Sequence, residues 1–90
     1  MSAARKLTSK PTLQSIIDAA NKDIPGDKVA RNASIYLSHK YSGARLKEIG
    51  EQFGVKESAV SQASSRFAGY LDKDKELREL VESVRKGLGL

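Results

Sequence analysis

The sequence predicts an all-α fold, a bundle of about five short helices containing a tight helix–glycine–helix corner. Three observations predict it. Apolar residues recur at three- and four-residue spacing along most of the chain, no stretch alternates apolar and polar with period two, and Pro and Gly fall between the periodic runs. With 90 residues there is material for one domain.

Residues 1–11 hold Arg5, Lys6 and Lys10 among mostly small residues without periodicity and are expected to form a flexible basic arm, leaving 12–90 as the folded domain. Thr12 follows Pro11 as a plausible N-cap for a first helix that turns Leu13, Ile16, Ile17 and Ala20 inward. Pro25-Gly26 ends it. A second helix is expected from about Lys28 to Tyr41, with Ala30, Ala33, Leu37 and Tyr41 on one face and Ile35 and Tyr36 elsewhere on its circumference. Apolar residues on several sides mark a central helix.

After Ser42-Gly43 a short third helix, Arg45 to Phe53, places Leu46, Ile49, Gly50 and Phe53 inward, and Gly54 is the expected left-handed C-cap. A fourth helix, from about Glu57 to Leu71, buries Val60, Ala63, Phe67 and one of Tyr70 and Leu71. The fifth begins at Asp74, a good N-cap, buries Leu77, Leu80, Val81 and Val84, and stops at Gly87.

Composition narrows the function. There is no Cys, so neither a disulfide nor a thiolate metal site holds the chain together. A chain this short, 39% hydrophobic and without Trp, has little room for a small-molecule pocket, which disfavours an enzyme, a cofactor and a small-molecule substrate. No apolar run approaches the roughly 18 residues of a membrane span, so the expected compartment is the cytoplasm. The net charge is +5, and its placement is uneven. Residues 1–71 carry 11 Lys and Arg against 6 Asp and Glu, whereas residues 72–90 carry 5 of each. A basic excess of this kind favours a polyanion.

The stretch from Leu46 to Ser65 says which one. Two short helices meet at Gly54 with almost no linker, Gly50 one turn earlier permits close approach, and Ile49, Phe53, Val55, Val60 and Ala63 fill the small core between them. This is the pattern of a helix-turn-helix. An ordinary helical hairpin shares much of it. The outer face of the fourth helix separates the two: at about 100° per residue, Ser58, Ser61, Gln62 and Ser65 cluster opposite Val60, Ala63 and Phe67. Short hydrogen-bonding side chains let a helix approach base edges closely in the major groove, where Gln pairs with adenine and Ser with several bases. Lys28, Arg45, Lys47, Lys56 and Arg66 are the candidates for phosphate.

The runs Ala30 to Leu37, Lys40-Tyr41-Ser42 and Leu46 to Gly54, with Glu-Ile-Gly-x-x-Phe-Gly at Glu48 to Gly54, resemble the C-terminal DNA-binding domain of the bacterial replication initiator DnaA. The resemblance covers roughly Thr12 to Leu90. It implies a Trp-repressor-like helical fold and sequence-specific binding of double-stranded DNA, with Arg31 matching an Arg that the family inserts into the minor groove. The wording at Tyr36 to Gly43 and Ser58 to Gln62 is also similar to the C-terminal domain of REP-associated tyrosine transposases. The initiators follow the position of Gly54 with a second Gly, a basic residue and Asp-His-Thr-Thr-Val. This chain reads Val55-Lys56-Glu57-Ser58-Ala59-Val60 instead, so the initiators' base-reading His and Thr have no counterparts.

Other residues carry weaker signals. His39 is the single histidine, with no Cys or nearby carboxylate pair, and reads as a solvated helix residue rather than a metal ligand or catalytic base. Glu48 with Glu51, and Asp72 with Asp74, lie on polar helix surfaces or at a cap. No phosphate-binding Gly-x-x-x-x-Gly-Lys-Ser/Thr occurs. The fifth helix mixes both signs of charge at helical spacing, as a solvated face does, and is also where a larger parent protein or a partner helix would dock. A helical protein-interaction module without specific DNA binding therefore remains the alternative.

Overall fold

The computed structural model describes residues 10–90, and the expected arm at residues 1–9, with Arg5 and Lys6, lies outside the described residues. Among the described residues five α-helices follow one another: α1 (Leu13–Asp23), α2 (Asp27–Leu37), α3 (Leu46–Phe53), α4 (Glu57–Lys73) and α5 (Lys75–Gly87). One turn of π-helix, Ser38–Ser42, continues α2 before the chain reaches α3.

The caps are where the sequence puts them. Thr12 Oγ1 accepts the Ser15 N–H at 3.1 Å, and Asp74 Oδ1 accepts the Leu77 N–H at 3.1 Å, each satisfying one of the donors that a helix start leaves unpaired. At α3 the Arg45 N–H donates to Glu48 Oε1 at 3.0 Å, one half of a capping box, since an arginine side chain cannot supply the accepting half.

The second helix differs from the expectation of an unbroken run to Tyr41. It tightens no further after Leu37 but widens into the π turn, where the Ser42 hydroxyl donates to the Ser38 carbonyl at 2.6 Å and accepts the Ala44 N–H at 3.0 Å. A serine that takes an earlier carbonyl and a later amide offers the backbone an alternative to the α-helical ladder. Sequence periodicity cannot register that exchange, because the turn still faces Tyr41 toward the core.

Two apolar clusters hold the helices. The larger joins Ile16, Ala20, Ala33, Leu37, Phe67, Val81 and Val84 from α1, α2, α4 and α5, with the Tyr36 and Phe67 rings tilted at 47° and 5.3 Å apart. The smaller joins Ile35, Ile49 and Val60 and is lined by Leu46, Phe53, Val55 and Ala63. Helix α2 is central, as its two-sided pattern predicted, giving Ala33 and Leu37 to one cluster and Ile35 to the other. Helix α4 also serves both, through Phe67 and Val60. Several inward assignments were too generous: Leu13, Ile17, Tyr41, Leu46, Phe53, Ala63 and Leu80 are half-buried. Of the pair at the end of α4, Leu71 packs on the core while Tyr70 is 50% exposed.

Candidate nucleic-acid interface

The corner between α3 and α4 is built from its glycines. Gly54 takes φ 70°, the left-handed region open to glycine at little cost, and so reverses the chain directly after Phe53. The Gly50 carbonyl accepts the N–H groups of both Gly54 and Val55, the latter at 2.8 Å. A Cβ on Gly50 would stand 2.5 Å from the Val55 carbonyl oxygen, so no other residue fits there without displacing the backbone that leads into α4. Ile49 and Val60, both fully buried, then pin α3 to α4 beneath the corner.

This frame fixes what faces outward. Val60, Ser64 and Phe67 form the buried stripe of α4, and Ser58, Ser61, Gln62 and Ser65 are all exposed on the other side, in the row expected from the sequence. Arg66 is exposed one turn beyond Gln62. Lys47, Glu51, Val55, Lys56, Glu57 and Ser58 line one shallow groove of about 400 Å3 at the corner, which brings the two lysines from either side of the turn to the N-terminal end of the serine row. Arg45, exposed at the N-cap of α3, stands two residues before Lys47.

Arg31 and Lys28, one turn apart on α2, are exposed too, but Arg31 is engaged within the chain. Its Nη2 donates to the Phe53 carbonyl at 2.9 Å. The guanidinium thus caps the C-terminal end of α3, where free carbonyls carry partial negative charge.

Sequence reasoning missed a second side of the row. His39, exposed as expected, sets its Nδ1 3.0 Å from the Ser64 hydroxyl and so ties the π turn to α4. With Tyr36, Lys40, Ser61, Ser64, Ser65 and Ala68 it lines a groove of about 340 Å3 along the helix. Part of the signal was available: Ser64 stands four residues after Val60 and three before Phe67, within the apolar stripe, and a buried hydroxyl needs a partner. The partner itself lies 25 residues away and could not be read from spacing.

Comparison with known proteins finds partial similarity. Over 61 residues the chain is 36% identical to the chromosomal replication initiator protein DnaA of Geobacter metallireducens, which covers 67% of this chain and 14% of that protein. Over 73 residues it is 33% identical to the DnaA of Geobacter sulfurreducens, covering 73% of this chain and 16% of that protein. The similarity is partial and consistent with a DnaA-like domain, and the chain spans about 14% to 16% of the length of these curated relatives. No family model matches the chain, and no solved structure does. Among the described residues, no helix is long and apolar enough to cross a membrane.

Proposed function

We propose that this chain is a sequence-specific, double-stranded DNA-binding domain in which α3, Gly54 and α4 act as a helix-turn-helix and α4 reads the major groove. The observation that carries the proposal is the exposed row Ser58, Ser61, Gln62 and Ser65 on a helix whose opposite face is locked into both apolar clusters. A reader helix must be rigid on one side and short-chained on the other, because base edges discriminate only when donors and acceptors are held in register.

In this reading Gln62 and the three serines meet base edges, while Lys28, Arg45, Lys47, Lys56 and Arg66 neutralise phosphates and set the register. Arg31 reaches toward the adjacent minor groove with the donors that Phe53 leaves free. The chain acts by binding alone, with no cofactor, in the cytoplasm, as a Trp-repressor-like domain of the DnaA-like or transposase-targeting kind. That the similar proteins are chromosomal replication initiators supports DNA as the partner. The initiators' own DNA box is not assigned to it, because the second Gly and the Asp-His-Thr-Thr run are missing after Gly54.

A protein-interaction module is the second reading. Exposed Val29 and Tyr70, which with Leu77 border a groove of about 670 Å3 away from the serine row, favour it. Selection from a random duplex library, followed by titration of the winner and of a scrambled duplex, separates the two. The proposal expects one enriched sequence bound more tightly than the scramble. Equal binding of both, or none at low salt, gives the field to the second reading.

A further inference from the structure

Lys10 lies with its side chain over the loop between α2 and α3. A Cβ on Gly43 would meet Lys10 Cδ at 3.0 Å, Nζ at 3.1 Å and Cε at 3.6 Å, so the seat for this lysine exists because position 43 carries no side chain. Two residues later Arg45 caps α3, and Lys47 stands in its first turn, both exposed. Cations from two distant parts of the sequence therefore gather where the chain enters α3. Among the described residues no side-chain ion pair is found for Lys10, Arg45 or Lys47, although the Glu48 carboxylate at the same helix start accepts the Arg45 backbone N–H.

We infer that Lys10 is a phosphate-contacting residue of the DNA interface, ordered by its seat on Gly43 and extending the contacts of α3 to a segment outside the helical core. The inference rests on the DNA reading of α3 and α4. In a helix-turn-helix the first helix crosses the sugar-phosphate backbone, which brings phosphates past the start of α3. An exposed lysine whose side chain already lies along the backbone at Gly43 loses less side-chain freedom on meeting a phosphate than a free one would. Such a contact adds affinity at every sequence alike and carries no base preference.

The test uses the whole chain, titrated onto a selected duplex and a scrambled one across a salt series. Lys10→Gln, which keeps most of the stem and loses the charge, should lower the slope of log K against log salt by about 0.9 on both duplexes and leave the preference between them unchanged. Lys10→Arg should retain the parent's slope, and Lys86→Gln on α5 should match the parent. A parent that binds while Lys10→Gln keeps its full slope overturns this inference alone. A fall confined to the selected duplex overturns it too, since it would mark Lys10 as a base contact. A parent without salt-dependent binding overturns the DNA reading and this inference with it.

Discussion

Arg31 serves the scaffold with one donor of its side chain, and the proposed function gives the remaining donors to DNA. A guanidinium carries five N–H donors in a rigid fork, and the Phe53 carbonyl takes one of them at 2.9 Å. That bond holds α2 against the corner and aims the fork. Arg31→Ala should therefore lower the thermal midpoint slightly and weaken binding most at sites flanked by a narrow, A·T-rich minor groove. Titration against A·T-rich and G·C-rich flanks checks it: equal losses on both would leave Arg31 a scaffold residue only. Gln62 makes the opposite case. It is exposed and makes no side-chain hydrogen bond among the described residues, so Gln62→Ala should leave the melting temperature nearly unchanged while costing about 1 to 3 kcal/mol of discrimination at one base pair. A panel of single-base variants of the selected site reads this directly, and a mutant with the parent's preference at every position would remove Gln62 from the reading face. The outward direction of Ser58, Ser61, Gln62 and Ser65 was legible because α4 is regular, and a regular helix converts spacing into direction. The roles of His39 and Arg31 inside the chain were not, because each depends on a partner in another helix that no local pattern names.

At the level of elements, α4 matters because it is clamped at both ends of its buried face, by Val60 in the small cluster and Phe67 in the large one. The small cluster is the weaker clamp, with three buried residues, and the corner glycines complete it. Gly50→Ala should be strongly destabilising, since the new methyl would stand 2.5 Å from the Val55 carbonyl oxygen and the backbone has to shift to make room. Ile49→Ala empties part of the same cluster and should cost about 2 to 5 kcal/mol. Chemical denaturation measures both, and a Gly50→Ala protein as stable as the parent would mean that the corner is not closed as described. The element pattern explains which boundaries sequence could reach. Caps at Thr12 and Asp74 and the reversal at Gly54 are local chemistry, written in the residues that perform it. The π turn at Ser38–Ser42 is not, because its hydroxyl bonds replace helical ones without changing the apolar period.

For the whole molecule, the deciding property is where the charge lies. Residues 72–90, which contain α5, carry five charges of each sign, so this part of the chain adds no net charge, and α5 closes the large cluster with Leu77, Val81 and Val84. Arg85 there is paired with Glu82, whose hydrogen bond raises its already high pKa further, and Arg85 also lies 5.3 Å from the centre of the Tyr41 ring. The surplus of positive charge is left to the rest of the chain, where Lys28, Arg45, Lys47, Lys56 and Arg66 are all exposed. If these residues face one duplex, its binding must release counterions, about 0.9 in the slope of log K against log salt for each phosphate neutralised. The whole set would give a steep slope, and each charge removed from it should flatten the line by one such step: Lys47→Gln or Lys56→Gln on every sequence, with the base preference kept. Lys75→Gln and Arg78→Gln on α5 remove the same charge from the other part of the molecule and should leave the slope where it was. Net charge alone would make these four variants equivalent, because each lowers it by the same amount. Titrations of all four at matched salt distinguish the two accounts: equal effects would mean a diffuse attraction between a basic protein and a polyanion, whereas a loss confined to Lys47 and Lys56 requires that the duplex lie against the corner of α3 and α4.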